Sequence, residues 1–281
     1  MLWSTGFVVA RYGTRDAGPL TFLCVRLVTA GVLLWVFAIL TIAPKISKQG
    51  FKFSIIIGIL MHAVYLGGAF VAIDNGLPAG LGALIAGLHP VATCVTARIF
   101  LKERLSARQI IGVFLGFAGV CAVVVEKLED PNGGLTKPAM IAMGLSIFGL
   151  TAGTLLQRAY SRNIPLLRGT AVQFLSSGSI LLFAAHLSEQ WRIKFTTQTM
   201  LALAWGVLVL SLGAVLIMLI LLARHSAARV SSLFFLTPAL GTIEGAVLFG
   251  ERIGWIAVAG LVIAIIGVRF AMQPSGSSKA N

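Results

Sequence analysis

Charge is what this sequence has least of. Only 11% of its 281 residues are Asp, Glu, Lys or Arg, against about 25% in a water-soluble domain. With 58% hydrophobic residues and a mean hydropathy of +0.96, the composition excludes an ordinary soluble domain and places the chain in a bilayer. Acidic residues are scarcer still, 9 against 22 basic ones, for a net charge of +13. The basic residues fall singly or in short groups between apolar runs, so they mark loop orientation rather than a nucleic-acid surface. Cysteine is nearly absent. Cys24, Cys94 and Cys121 lie inside apolar runs without paired spacing, which speaks against a disulfide framework or a thiolate metal site. No nucleotide-binding loop, HExxH or GxSxG occurs, so no cofactor, metal or direct use of ATP is expected. His62, His89 and Asp74 are the loose candidates for an intramembrane enzyme, and Asp74 at a helix end is explained by turn formation.

What is present is said twice. Leu88–Val120 recurs without a gap as Leu236–Val268, at an offset of 148. Leu88, Pro90, Glu103, Arg104, Gly112, Gly119 and Val120 return as Leu236, Pro238, Glu251, Arg252, Gly260, Gly267 and Val268. Each copy is an apolar run with a proline, a Glu-Arg turn, and a second apolar run punctuated by glycine. Such a repeat in so apolar a chain points to two related membrane halves.

The runs fall at about 2–12, 19–43, 53–74, 79–101, 107–126, 138–160, 166–187, 199–223, 228–249 and 254–272. All but the first are long enough to cross the hydrocarbon. The repeat explains the first: Gly6 and Arg11 match Gly153 and Arg158, and the matching second-half helix would begin before Met1. A turn or two of helix 1 is therefore expected to be missing or shortened. A signal peptide is disfavoured, for lack of a basic leader and a cleavage site. The expected fold is all-α and integral to the membrane, with ten transmembrane helices: a first repeat at 1–126, a linker at 127–137, a second repeat at 138–272 and a disordered tail at 273–281. Five helices per half is an odd number, so the halves enter the membrane in opposite senses as two inverted five-helix repeats. With both termini cytoplasmic, thirteen basic residues fall in inner loops and seven in outer ones, as the positive-inside rule requires.

The opening WSTGF at Trp3–Phe7, PLTFLCVRL at Pro19–Leu27 and the repeated proline–(12 residues)–Glu-Arg units resemble the drug/metabolite transporter superfamily, in its EamA-type ten-helix branch. The resemblance covers nearly the whole chain. It implies an inner-membrane carrier, usually an exporter of amino acids or other small metabolites, built as two inverted repeats around a central cavity with helices 5 and 10 peripheral. It leaves the substrate open. Gln173 stands where the first half has Arg26, a departure from a mechanism needing two equivalent cations.

Polar residues within the spans are the candidates for function. His89, Thr93 and Thr96 share one face of helix 4, and Thr237, Gly241 and Glu244 share the matching face of helix 9. They read as two walls of a substrate path, or as interhelical hydrogen bonding. Pro90 and Pro238 in the same helices serve as hinges or static kinks. Arg26 and Glu244 are the costliest residues at membrane depth. Their similar depths suggest an ion pair closing the outer side, with Gln173 and Thr96 the neutral counterpart on the inner side. Arg26 also suits a substrate carboxylate, or snorkels to the interface, and Glu244 suits a coupling proton. His62 and Tyr65, with Trp3, Phe234 and Phe235, form an aromatic lining or ordinary packing. Glycine faces on helices 5 and 10 dock each helix onto its own half or make a homodimer, so the chain is a monomer or a homodimer. A small-molecule carrier is the leading reading. A translocator of lipids or lipid headgroups is the alternative that the same architecture could serve.

Overall fold

The computed structural model describes residues 2–100, 106–128, 136–160, 164–224, 237–251 and 254–271, in places through the backbone alone. Glu103, Arg104, Phe234, Phe235, Arg252 and the tail 273–281 lie outside this set. Every regular element among the described residues is a helix. A short 3-10 turn, Leu2–Ser4, leads into α1 (Thr5–Gly13). α2 (Pro19–Leu40) starts on a proline at its first turn, where a missing N–H costs nothing. α3 (Lys48–Asp74) starts where the Ser47 hydroxyl accepts from Gly50 N. α4 is in two pieces, Ala79–Ala86 and His89–Phe100. Then come α5 (Ala107–Leu128), α6 (Lys137–Tyr160) and α7 (Leu166–Glu189). α8 runs through Thr197–Ala204, Trp205–Gly213 and Ala214–Arg224. α9 (Thr237–Phe249) and α10 (Trp255–Ala271) complete the fold.

Among the described residues, five helices are long and apolar enough to span a membrane: α2, α3, α6, α7 and the stretch Thr197–Met218 of α8. Their outward faces carry large apolar side chains such as Leu40, Phe148, Phe183 and Leu201. In water such a surface would be untenable; in lipid it is the solvated one. The chain is a multi-pass membrane protein.

The helices pack in pairs: α2 along α7, α5 along α10, α4 against α9, α3 beside α6 and α1 beside α8. Exchanging first-half helices for their second-half counterparts turns each pairing into one of the same set. The α5–α10 seam is the closest. A Cβ on Gly119 would meet the backbone of Gly260 and Ala264, and one on Gly267 that of Gly112 and Gly116. The two glycine faces therefore close on each other across the halves. The α5 face also serves its own half, where a Cβ on Gly116 would meet the side chains of Val91 and Leu88 on α4, so small residues let α5 approach both α10 and α4.

Two details depart from the sequence reading. The span 79–101 is not one helix with a mid-span kink. It breaks at Gly87–Leu88, and Pro90 is the second residue of the new piece, a first-turn position that needs no donor. Pro238 is likewise the second residue of the described part of α9. The other detail is a π-helical stretch in the third helix of each half, Ile59–Val64 in α3 and Trp205–Gly213 in α8. A π turn carries an extra residue and misaligns local carbonyls, and such turns concentrate at functional sites.

Candidate functional site

The buried polar side chains of Arg26 and Gln173 lie against the two π stretches. Arg26 on α2 is 6% exposed. Its Nε donates to the Gly206 carbonyl at 3.1 Å and to Ser211 Oγ at 3.4 Å, and Ser211 Oγ donates to that same carbonyl at 2.9 Å. Both acceptors belong to the α8 π stretch. Gly206 also makes the room: a Cβ there would lie 3.0 Å from Arg26 Cδ and 3.2 Å from Nε.

The first half repeats the arrangement with neutral groups. Gln173 on α7 lies against the α3 π stretch, where a Cβ on Gly58 would meet the Gln173 backbone. Gly58 and Gly206 are repeat mates, as are Gln173 and Arg26. The Gln173 side chain lies beside His62 and donates from Nε2 to Gln157 Oε1 at 3.0 Å. The His62 ring stands edge-on to Phe174, with centroids 4.8 Å apart. Arg26 is within electrostatic range of both His62 and Tyr65. Arg26, His62, Tyr65 and Gln173 thus belong to one polar belt across the middle of the helices. Further along α6, Thr154 Oγ1 meets His89 Nε2 at 3.0 Å.

The expected Arg26–Glu244 ion pair is not formed. The guanidinium is drawn to the π-turn carbonyl. Glu244 Oε1 instead accepts from Ser4 Oγ at 2.7 Å, and its Oε2 is buried without a hydrogen-bond partner among the described residues. The neutral Gln173–Thr96 counterpart is not formed either. The Thr96 hydroxyl bonds the Ala92 carbonyl one turn back on its own helix, the usual retreat of a helical threonine. Trp3 is 40% exposed near the start of the sequence, and Trp205, also exposed, donates from Nε1 to Thr5 Oγ1 at 3.0 Å. The backbones of Thr93, Pro90, Thr237 and Pro238 lie on α4 and α9, but their side chains are outside the described set, as is all of Phe235.

One end of the helix bundle holds a second constellation. Glu251, 12% exposed, accepts from Ala79 N at 2.8 Å, Gly80 N at 3.0 Å and Arg11 Nη1 at 3.2 Å. A second-half carboxylate thereby caps α4 of the first half and pairs with α1. Glu251 lies in the turn before α10, yet the dipole it serves is that of α4, whose first N–H groups point at it. Glu189 does the same for α2, accepting from Leu20 N at 2.9 Å and from Thr21 N and Oγ1 at 2.8 Å. Between them the loops join: Gly18 N donates to Arg192 O at 2.7 Å, Lys194 N to Asp16 O at 2.8 Å, and Thr196 Oγ1 to Asp16 Oδ2 at 2.8 Å. This latched end ties the two halves together through charge-assisted bonds.

Comparison with known proteins gives this architecture a context. The model of the EamA-like transporter family matches residues 1–125 and 137–273. The uncharacterized transporter YvbV of Bacillus subtilis is 23% identical over 285 residues, covering 100% of this chain and 91% of its own. The uncharacterized inner membrane transporter YedA of Escherichia coli K12 is 25% identical over 274 residues, 95% and 86% of the two chains. A probable amino-acid metabolite efflux pump of Salmonella typhimurium is 24% identical over 278 residues, 95% and 90%. A solved crystal structure shares the fold at a TM-score of 0.68 and 18% identity, over 96% of this chain and 92% of that one.

Proposed function

This chain belongs to the EamA-like transporter family, and from that premise we propose that it is a secondary carrier of the cell membrane, exporting amino acids or related small metabolites by alternating access. Its fold is read as ten spans in two inverted five-helix repeats with both termini cytoplasmic. The symmetric helix pairing, the matched π stretches and the loop distribution of Lys and Arg support that reading.

The observation that carries the mechanism is the latched end. In this topology it faces outward, and its bonds join the halves above a polar belt. A solute in the belt is then shielded from the outside by Glu251, Arg11, Glu189 and the joined loops. Opening that end breaks these contacts, and closing the other end requires a lock of its own. The repeat supplies one: Arg158 matches Arg11, and Glu103 matches Glu251. The carrier alternates between an Arg11–Glu251 lock outside and an Arg158–Glu103 lock inside, two states exchanged by a near-twofold operation. The closed α5–α10 seam supports a monomer as the transporting unit.

Counterflow into proteoliposomes tests the reading. Vesicles loaded with a mixture of the twenty amino acids are expected to draw in a radiolabelled amino acid from outside. No amino-acid counterflow, with scrambling of a fluorescent phospholipid between leaflets, overturns it in favour of a lipid translocator.

A further inference from the structure

We propose that Arg26 is the anchor for the carboxylate of the transported solute, so that this protein carries carboxylate-bearing solutes and rejects their decarboxylated forms. The inference rests on the carrier reading above and concerns the same polar belt.

Among the described residues the guanidinium is engaged through one nitrogen only. Nε is held by the Gly206 carbonyl and Ser211 Oγ, while the four N–H groups on the two Nη atoms have no acceptor among the described residues. No described carboxylate answers the charge. Glu189 and Glu251 cap α2 and α4, Glu244 takes the Ser4 hydroxyl, Asp16 holds Thr196, and Asp74 ends α3 beside Arg192 and Glu189. A buried cation without a counter-ion is strongly disfavoured unless something else supplies the charge.

Snorkelling does not relieve the cost. The side chain is fastened to mid-helix atoms of α8 rather than extended to a helix end, and Arg26 lies about 10 Å into α2 at 1.5 Å per residue. Pinning Nε leaves the outer edge of the guanidinium as a pair of parallel donors, the geometry that takes a carboxylate in two-pronged fashion. What surrounds it is polar and able to hydrogen-bond: Tyr65 and His62 on α3, backed by Gln173 and Gln157. One guanidinium among hydroxyl, amide and ring groups matches a monoanionic group better than a phosphate ester.

The test uses the full-length protein in proteoliposomes with matched probes: L-phenylalanine and L-leucine against phenethylamine and isopentylamine, and against the two amino-acid amides. The wild type is expected to take up the acids and not the amines or amides. Arg26→Gln is expected to raise KM for the acids about 10- to 100-fold, the range for losing a hydrogen-bonded charge. Arg26→Lys, which keeps charge but loses the fork, falls between. Amines or amides carried as well as the acids, or an unchanged KM in Arg26→Gln, overturn the inference and leave the carrier reading standing. Should Arg26→Gln not fold, the wild-type comparison of acid with amine decides alone. If no probe of any class moves while phospholipid is scrambled, both readings fall.

Discussion

Glu251→Gln is the substitution with the largest expected effect on the conformational equilibrium. The carboxylate accepts two backbone N–H groups of α4 and pairs with Arg11. A hydrogen bond to a charged group contributes about 1.5–3 kcal/mol. Arg11 is 36% exposed, so its pairing adds at most about 1 kcal/mol. Glutamine retains one acceptor and turns its amide donor toward the other N–H. The latched state therefore loses about 3 kcal/mol, while with the latch open the side chain is hydrated and loses little. That difference is worth roughly 100-fold in the ratio of the two states, enough to bring an open state of about 1% to near half. Ala17 reports it. It is 1% exposed and bridges to Ile193 across the halves. In a chain whose native cysteines are replaced, Ala17→Cys should react with a membrane-impermeant thiol reagent far faster when Glu251→Gln is present. A labelling rate within twofold of the parent, in protein that remains monodisperse, refutes the latch.

Glu103→Gln or Arg158→Gln should act in the opposite direction, slowing labelling at Ala17→Cys; no change would end the idea of two alternating locks. Gly206→Ala places a methyl 3.0 Å from Arg26 Cδ, so transport should fall several-fold with thermal stability nearly intact. The control is Gly6→Ala, where nothing lies within 4 Å, and equal activity of the two variants would dissociate the π-turn glycine from Arg26. Gly119→Ala forces a methyl against the α10 backbone and should cost about 1–3 kcal/mol of stability, the range for overpacking, seen as a lower Tm. An unaltered Tm would show that the α5–α10 seam can part.

How far the site could be read in advance depends on the distance over which each signal acts. Arg26 and Gln173 stood out because a charge and an amide within apolar runs are conspicuous, and the repeat aligned them. His62 and Tyr65 stood out as polar rings three residues apart in an apolar run. The partners were another matter. Depth along the membrane normal allowed Arg26 to meet Glu244, but depth leaves rotation about the helix axis and lateral position open. A carbonyl misaligned by a π turn won instead, and π turns leave no mark in a hydrophobic pattern. Glu251 illustrates the same limit. Its type and its place in a turn said that it would cap a helix, and only the packing said which helix.

The sequence by itself determined that the chain lives in a bilayer, that it is helical and duplicated, and which few residues carry charge into the apolar interior. Those properties follow from composition and period, which act locally along the chain. Tertiary structure alone decided that α2 pairs with α7 and α5 with α10, that Arg26 Nε is fastened to the Gly206 carbonyl and Ser211, and that Glu189 and Glu251 cap helices of the other half. These depend on which surfaces meet in space, and residues more than 150 positions apart in the chain meet only once the halves have closed on each other.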